Sequence, residues 1–217
     1  MTAAPIHPEP ALPVRNLVPA LDLIERVVVA SLFAFFVYRM VASFLATGLV
    51  INLVLVVSES LVVIFVLIRR PARTMSLNPV DWILAFVATA APLFAQPDEV
   101  APLVPPILCV ILTLCGLALQ VAAKLTLRRN FGIVAANRGI TTGGPYNFVR
   151  HPMYIAYMMT WVAFLLTNPT LWNSAVYAIA FAFQIARLLA EERLLTDDDI
   201  YREFRERVRW RLVPRVF

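Results

Sequence analysis

Long apolar segments divide this chain of 217 residues and restrict it to folds that a lipid bilayer accepts. The segments cover residues 23–45, 49–68, 80–95, 104–125, 153–166 and 171–189. A straight helix needs about 20 residues to cross the hydrocarbon core, so the short segments 80–95 and 153–166 leave five or six spans. Because 60% of the residues are hydrophobic and only 15% are charged, the sequence predicts an all-α integral membrane protein, a bundle of about six transmembrane helices.

The 19 Lys and Arg residues are distributed unevenly between the two sides of this predicted bundle. They precede the first segment and follow the second, fourth and sixth, whereas the loops near residues 47, 96–101 and 167–170 have none. By the positive-inside rule, both termini and the segment 127–150 are cytoplasmic. The net charge of +5 therefore suggests anionic membrane lipids as partners, and no nucleic acid, because the basic residues lie beside membrane segments.

The predicted domain organisation is simple. The proline-rich residues 1–20 are expected to form a flexible cytosolic lead, and residues 21–217 a single membrane domain. Cys109 and Cys115 lie within one span in no metal-ligand pattern, and the chain has only two histidines, so no metal site is expected.

Two charged residues lie inside the first two spans. Arg39 and Glu59 are at similar depth on antiparallel neighbours, which predicts an ion pair between these helices. A proton or ion path is the alternative interpretation.

A polar cluster precedes the fifth span. Pro152 favours the first turn of a helix, so His151 is the predicted N-cap, with Arg150 just outside and Tyr154 on the same side of the helix as His151. A helix N-terminus that faces the cytosol can bind an anionic group.

A second polar cluster closes the sixth span. Arg187 and Glu191 are four residues apart on one helix face, and Glu192 is on the adjoining face. Two interpretations stay open: Arg187 and Glu191 pair with each other, or both clusters line one pocket. We favour the pocket, because the two clusters lie at the same membrane face.

The C-terminal residues predict an amphipathic helix in the membrane interface. Thr196 is the expected cap, and three aspartates follow it. The apolar residues Ile200, Phe204, Val208 and Leu212 recur at every fourth position between arginines, and Trp210 would lie at headgroup level.

In residues 127–214 the chain resembles the isoprenylcysteine carboxyl methyltransferases and the related membrane phospholipid and thiol methyltransferases. The resemblance rests on Asn130-Phe131, Ile140-Thr141-Thr142, Gly144-Pro145-Tyr146, Arg150-His151-Pro152-Met153-Tyr154, Arg187 with Glu191-Glu192, and residues 201–214. Three positions depart from it: Arg138 replaces a common histidine, Ala156 a glycine and Phe204 a tyrosine.

The resemblance implies that S-adenosylmethionine is bound between the last helices and the preceding loop. The sequence agrees with a pocket that is not of the Rossmann type, because no glycine-rich turn follows a predicted strand. The implied cofactor-binding residues are Ile140, Thr141, Thr142, Tyr146, His151, Pro152, Tyr154, Glu191 and Glu192. Arg187 would hold the anionic group of the substrate, assisted by Arg150.

The resemblance implies methyl transfer to a lipophilic acceptor. A carboxylate is favoured, because it is ionised at neutral pH and needs only an arginine to position it. A phospholipid amine is an alternative that requires a base, for which Glu192 or a water would serve, and a thiol is another. A transporter or assembly factor whose arginines bind anionic lipid is the non-enzymatic alternative.

Overall fold

The computed structural model describes residues 12–48, 50–97 and 100–217. Its α-helices are α1 (Leu12–Thr47), α2 (Val50–Ile68), α3 (Pro79–Ala90), α4 (Pro106–Leu127), α5 (Pro152–Thr167), α6 (Leu171–Leu195) and α7 (Asp199–Arg207). Short 3-10 helices cover Ala91–Phe94, Arg128–Asn130 and Gly144–Asn147, and the strands are β1 (Thr74–Met75) and β2 (Ala136–Asn137).

The predicted all-α membrane fold is confirmed, because each apolar segment corresponds to a helix. Among the described residues, the stretches Leu17–Ala46, Pro106–Asn130 and Leu171–Leu195 are long and apolar enough to cross a membrane. Shorter apolar helical stretches lie at Glu59–Ile68, Pro79–Phe94 and Pro152–Thr167. Large apolar side chains cover much of the outside, as expected where lipid replaces water.

The predicted flexible lead is only partly within the described chain. Residues 1–11 lie outside it, and so does His7. The remaining residues of the lead, 12–20, form the first turns of α1.

Helix pairs α1 with α2, α3 with α6, and α4 with α5 pack along each other. Gly116 permits the closest approach of α4 to α5, because a Cβ there would be 2.9 Å from Thr160 Cγ2 and 3.1 Å from the Ala156 carbonyl oxygen. Ala156 is fully buried at this contact. Ala156, which replaces a glycine of the family pattern, therefore lies where α4 meets α5 and not in the polar segment.

A two-stranded ribbon fixes the loop that follows α4. Strands β1 and β2 are antiparallel, with Thr74 opposite Asn137 and Met75 opposite Ala136. The amide of Ser76 also donates to the Ala135 carbonyl, at 2.9 Å. These bonds hold residues 131–142 against the connection between α2 and α3.

The predicted ion pair between Arg39 and Glu59 is wrong. Glu59 Oε1 instead accepts from Lys124 Nζ at 3.1 Å and from Gln120 Nε2 at 3.3 Å, both on α4, and Arg39 is exposed. A third helix therefore provides the buried cation.

The amphipathic C-terminal helix is present but shorter than predicted. Asp198 is the N-cap and accepts from the Ile200 amide at 2.9 Å, whereas the Thr196 hydroxyl donates to the Glu192 carbonyl at 2.6 Å at the end of α6. Because α7 ends at Arg207, Val208 and Leu212 belong to a non-helical segment, in which both are buried.

Candidate active site

The turn before α5 places Tyr146 in the interior. Gly144 has φ +55°, and a Cβ at this position would lie 2.9 Å from Thr126 Oγ1 on α4, so both the backbone conformation and the space favour glycine. Burial raises the pKa of the Tyr146 phenol well above its usual value. The phenol is therefore a neutral group near physiological pH.

His151 is the N-cap residue of α5, as predicted, but its side chain makes no capping hydrogen bond. Instead the C-terminal segment fixes this helix start. The amides of Arg150 and His151 donate to the carbonyls of Trp210, at 2.9 Å, and Arg211, at 3.0 Å. The His151 ring is thereby free to turn toward α6, where its Nε2 lies 3.1 Å from Glu192 Oε1.

A cavity of about 760 Å³, including the part that opens to solvent, lies between the loop after α4, the start of α5, the end of α6, and α7. Predicted site residues that line it are Ile140, Thr141, Tyr146, Arg150, His151, Tyr154, Arg187 and Glu191. The two polar clusters therefore meet in one pocket.

Thr142, Pro152 and Glu192 are predicted site residues that do not line this cavity. Pro152 is fully buried in the first turn of α5, where it supports the helix start. Thr142 lies in the loop next to Thr141 and is half-buried.

Tyr154 connects the residues of the two clusters. Its hydroxyl donates to Glu191 Oε2 at 2.7 Å, and the Arg187 guanidinium carbon lies 5.5 Å from the centre of its ring. The edge of the ring packs against His151, with 5.4 Å between the ring centroids. Glu191 is therefore oriented by a residue on another helix.

Arg187 and Glu191 do not form an ion pair with each other in the described structure. Arg187 Nη2 makes only a long contact, 3.5 Å, with the Gly132 carbonyl oxygen, and its buried Nε has no hydrogen-bond partner among the described residues. A buried donor without a partner is uncommon in native proteins. Arg187 Nε is therefore a donor that a ligand in the pocket could use.

Asn130 also lines this cavity and has a polar atom without a partner in the described part of the chain. Its Nδ2 donates to Thr141 Oγ1 at 3.0 Å, while its buried Oδ1 has no partner within the described chain. Asn130 Oδ1 and Arg187 Nε are thus an acceptor and a donor that are available to a polar ligand.

Glu192 lies behind the pocket at the centre of a buried polar cluster. Oε1 receives Arg150 Nε at 2.7 Å and the Tyr201 hydroxyl at 3.2 Å, and Oε2 receives Arg211 Nε at 2.7 Å. The cluster joins the start of α5, the end of α6, α7 and the C-terminal segment. Burial is the main cause that raises the pKa of Tyr201, so its hydroxyl stays a donor.

Arg150 is largely occupied by this cluster. Besides Glu192, its Nη1 donates to the carbonyls of Val208, at 3.0 Å, and Arg209, at 2.7 Å. Most of the hydrogen-bond donors of Arg150 are therefore already used, whereas Arg187 Nε has no partner among the described residues.

Sequence reasoning missed a buried acidic pair that contacts the pocket loop. Asp22 and Glu25 on α1 bind Arg138, the cavity-lining residue that departs from the family pattern. Two acids at the start of an apolar helix were the available signal, because buried charge near lipid requires a partner. Within the described chain, no group of three or more His, Cys, Asp or Glu residues could hold a metal ion.

Comparison with known families supports a membrane methyltransferase. The family model described as phospholipid methyltransferase matches residues 105–203. This segment runs from the start of α4 into α7 and contains every cavity-lining residue except Phe204. The resemblance predicted from the sequence is thereby confirmed for this part of the chain. No curated protein matches the chain.

Proposed function

We propose that this protein uses S-adenosylmethionine to methylate a lipophilic acceptor in the membrane, and that the acceptor is a carboxylate. The hydrogen bond between Tyr154 and Glu191 carries the proposal, because it joins two motifs 37 residues apart inside one cavity. Members of the matched family generally use this cofactor.

The residues present fit the cofactor. S-adenosylmethionine carries an ammonium, for which the Glu191 carboxylate and the unpartnered Asn130 Oδ1 are suitable acceptors, and a sulfonium, whose positive charge a nearby carboxylate stabilises. Aromatic rings of Phe131, Tyr146 and Tyr157 also line the cavity, and ring faces attract cations. The buried polar atoms and the aromatic walls therefore complement a cationic ligand.

We assign the direct contacts to Ile140, Thr141, Tyr146, His151, Tyr154 and Glu191, and add Asn130 to them. Thr142, Pro152 and Glu192 support the site from outside the cavity. The cofactor, when bound, supplies an electrophilic methyl group. What remains for the protein is to hold the acceptor in line and to exclude water.

The structure around Arg187 favours an anionic acceptor. Its guanidinium faces the cavity with an unused donor, and a planar guanidinium can hold two carboxylate oxygens. In contrast, Glu192, a possible base for an amine acceptor, already receives Arg150 and Arg211. Phospholipid amines and thiols remain the alternative acceptors, and the family match disfavours a transporter or assembly factor.

We also propose that both termini and the pocket face the cytoplasm. Exposed arginines surround the pocket end of the bundle, among them Arg70, Arg73, Arg128 and Arg129. Exposed cations at this end would bind anionic headgroups of the inner leaflet.

Calorimetric titration of the purified protein in detergent with S-adenosylhomocysteine tests the cofactor site. We expect saturable binding that Glu191→Ala weakens strongly, whereas Glu203→Ala, which removes an exposed carboxylate on α7, leaves it unchanged. A folded wild-type protein that released no heat would overturn the proposal.

Membranes incubated with methyl-labelled cofactor identify the acceptor. Label that is extracted with lipid and released by base would indicate an ester and support the carboxylate. Base-stable label in phospholipid would contradict it and indicate an amine.

A further inference from the structure

Two acidic residues of α1 form a buried cluster with two arginines. Asp22 and Glu25 lie on adjacent turns, exposed by 4% and 0%, and Arg69 and Arg138 are equally buried. Arg138 Nη2 is 2.9 Å from Asp22 Oδ1 and 2.6 Å from Glu25 Oε2, and Arg69 Nη2 is 3.0 Å from each of the same oxygens. The two buried carboxylates thus face two buried guanidiniums, and the partly exposed Arg26 adds a third cation, 3.4 Å from Asp22 Oδ2.

Glu25 also binds the backbone of the pocket loop. Its second oxygen, Oε1, accepts the amide of Ile133 at 2.7 Å and that of Val134 at 3.0 Å. One carboxylate therefore anchors both the Arg138 side chain and two consecutive amides. The anchored segment, residues 131–139, contributes Phe131, Gly132, Ala136, Arg138 and Gly139 to the cavity wall.

We propose that Asp22 and Glu25 are positioning residues that hold the segment 131–139 in the conformation that forms the pocket. The consequence for cofactor binding rests on the function proposed above. Neither acid would touch the ligand, and both lie outside residues 105–203, so the segment that the family model matches depends on α1 to complete its site.

Through Arg138, the two acids also influence the position of Arg187. A Cβ at Gly132 would collide with the Arg138 guanidinium, so the arginine lies directly against this glycine. The carbonyl of Gly132 in turn receives Arg187 Nη2 at 3.5 Å. A displacement of Arg138 would therefore move the backbone on which the substrate-binding arginine rests.

Two isosteric variants separate the charge of the acids from their backbone contacts. Glu25→Gln leaves an amide oxygen for the two loop amides but places an uncharged amide against two buried guanidiniums, which then repel each other. Asp22→Asn makes the same charge change without a backbone contact to the loop. Glu203→Gln is the control, because it makes the same charge change at an exposed position of α7.

Amide hydrogen exchange of the full-length protein in detergent tests the proposal directly. We expect peptides that cover residues 131–142 to exchange about tenfold faster or more in Glu25→Gln, the ratio expected when hydrogen bonds to a charged acceptor become bonds to a neutral one. Asp22→Asn should accelerate the same peptides, and Glu203→Gln should not. Unchanged exchange of these peptides in both variants would overturn the proposal.

Titration of the same samples with S-adenosylhomocysteine separates this inference from the proposed function. We expect affinity about tenfold weaker in Glu25→Gln and unchanged in Glu203→Gln, at equal helical content. Faster exchange of the loop peptides in the variants would support the positioning role. If the wild type at the same time bound no ligand, the cofactor site would be refuted. Normal ligand affinity together with an unperturbed loop would refute the positioning role alone.

Discussion

The hydroxyl of Tyr154 on α5 donates a 2.7 Å hydrogen bond to Oε2 of Glu191 on α6. The bond joins two helices that also share the Arg187 contact with the Tyr154 ring. It gives the Glu191 carboxylate one orientation inside the cavity before any ligand binds. Preorganisation of this kind reduces the cost of ordering side chains upon binding.

Removal of this hydrogen bond is expected to weaken cofactor binding. Tyr154→Phe keeps the ring but leaves Glu191 without its donor, at a cost of about 1.5–3 kcal/mol, or roughly tenfold to a hundredfold in affinity. Calorimetry with S-adenosylhomocysteine measures the loss. Tyr38→Phe is the control, because Tyr38 is an exposed tyrosine of α1. Equal affinities of Tyr154→Phe and the wild type would contradict the proposal that Tyr154 orients Glu191 for cofactor binding.

Replacement of Arg187 by lysine is expected to reduce methyl transfer while preserving cofactor affinity. Lysine keeps the charge but offers no planar pair of donors for a carboxylate, so we expect at least a tenfold loss in kcat/KM, about 1.4 kcal/mol. Transfer of labelled methyl into lipid measures this. Arg193→Lys, on the same helix and paired with Asp81, should transfer nearly normally. Full activity of Arg187→Lys would indicate that only summed charge matters.

Glu191 and Glu192 are expected to differ in their effect on stability. Glu192→Ala leaves Arg150 buried without its carboxylate partner, which should cost about 3–5 kcal/mol of unfolding free energy. Glu191→Ala removes one hydrogen bond at the cavity wall and should cost about 1 kcal/mol. Thermal unfolding in detergent compares the two. Similar destabilisation by both would contradict the structural role of Glu192.

The buried pair of Lys124 and Glu59 is expected to behave as a unit. Lys124→Met alone leaves a buried carboxylate and should destabilise the protein by about 3–5 kcal/mol, whereas Lys124→Met with Glu59→Gln should recover much of that loss. Arg39→Met should be close to neutral, because Arg39 is exposed. A double-mutant cycle of thermal unfolding measures the coupling. Purely additive losses, or strong destabilisation by Arg39→Met, would contradict this pairing.

The sequence by itself determined the helices and the meeting of the two polar clusters, whereas Ile140, Thr141 and Tyr146 were implied by the family resemblance. Apolar length, which is a local property, predicted the membrane helices, and Pro152 predicted where α5 begins. The placement of both polar clusters at one end of the bundle followed from their positions relative to the apolar segments. Of the eight predicted residues that line the cavity, five belong to these two clusters.

Only the tertiary structure decided which charged groups pair. Glu59 binds Lys124 and not Arg39, Glu192 binds Arg150 and Arg211, and Asp22 and Glu25 bind a loop more than 100 residues away. Burial requires every charge to have a partner, but the partner is whichever cation the packing of several helices brings within about 3 Å. Spacing along one helix predicts contacts on that helix alone, so the pairing became visible only when all the helices and the loop were in place.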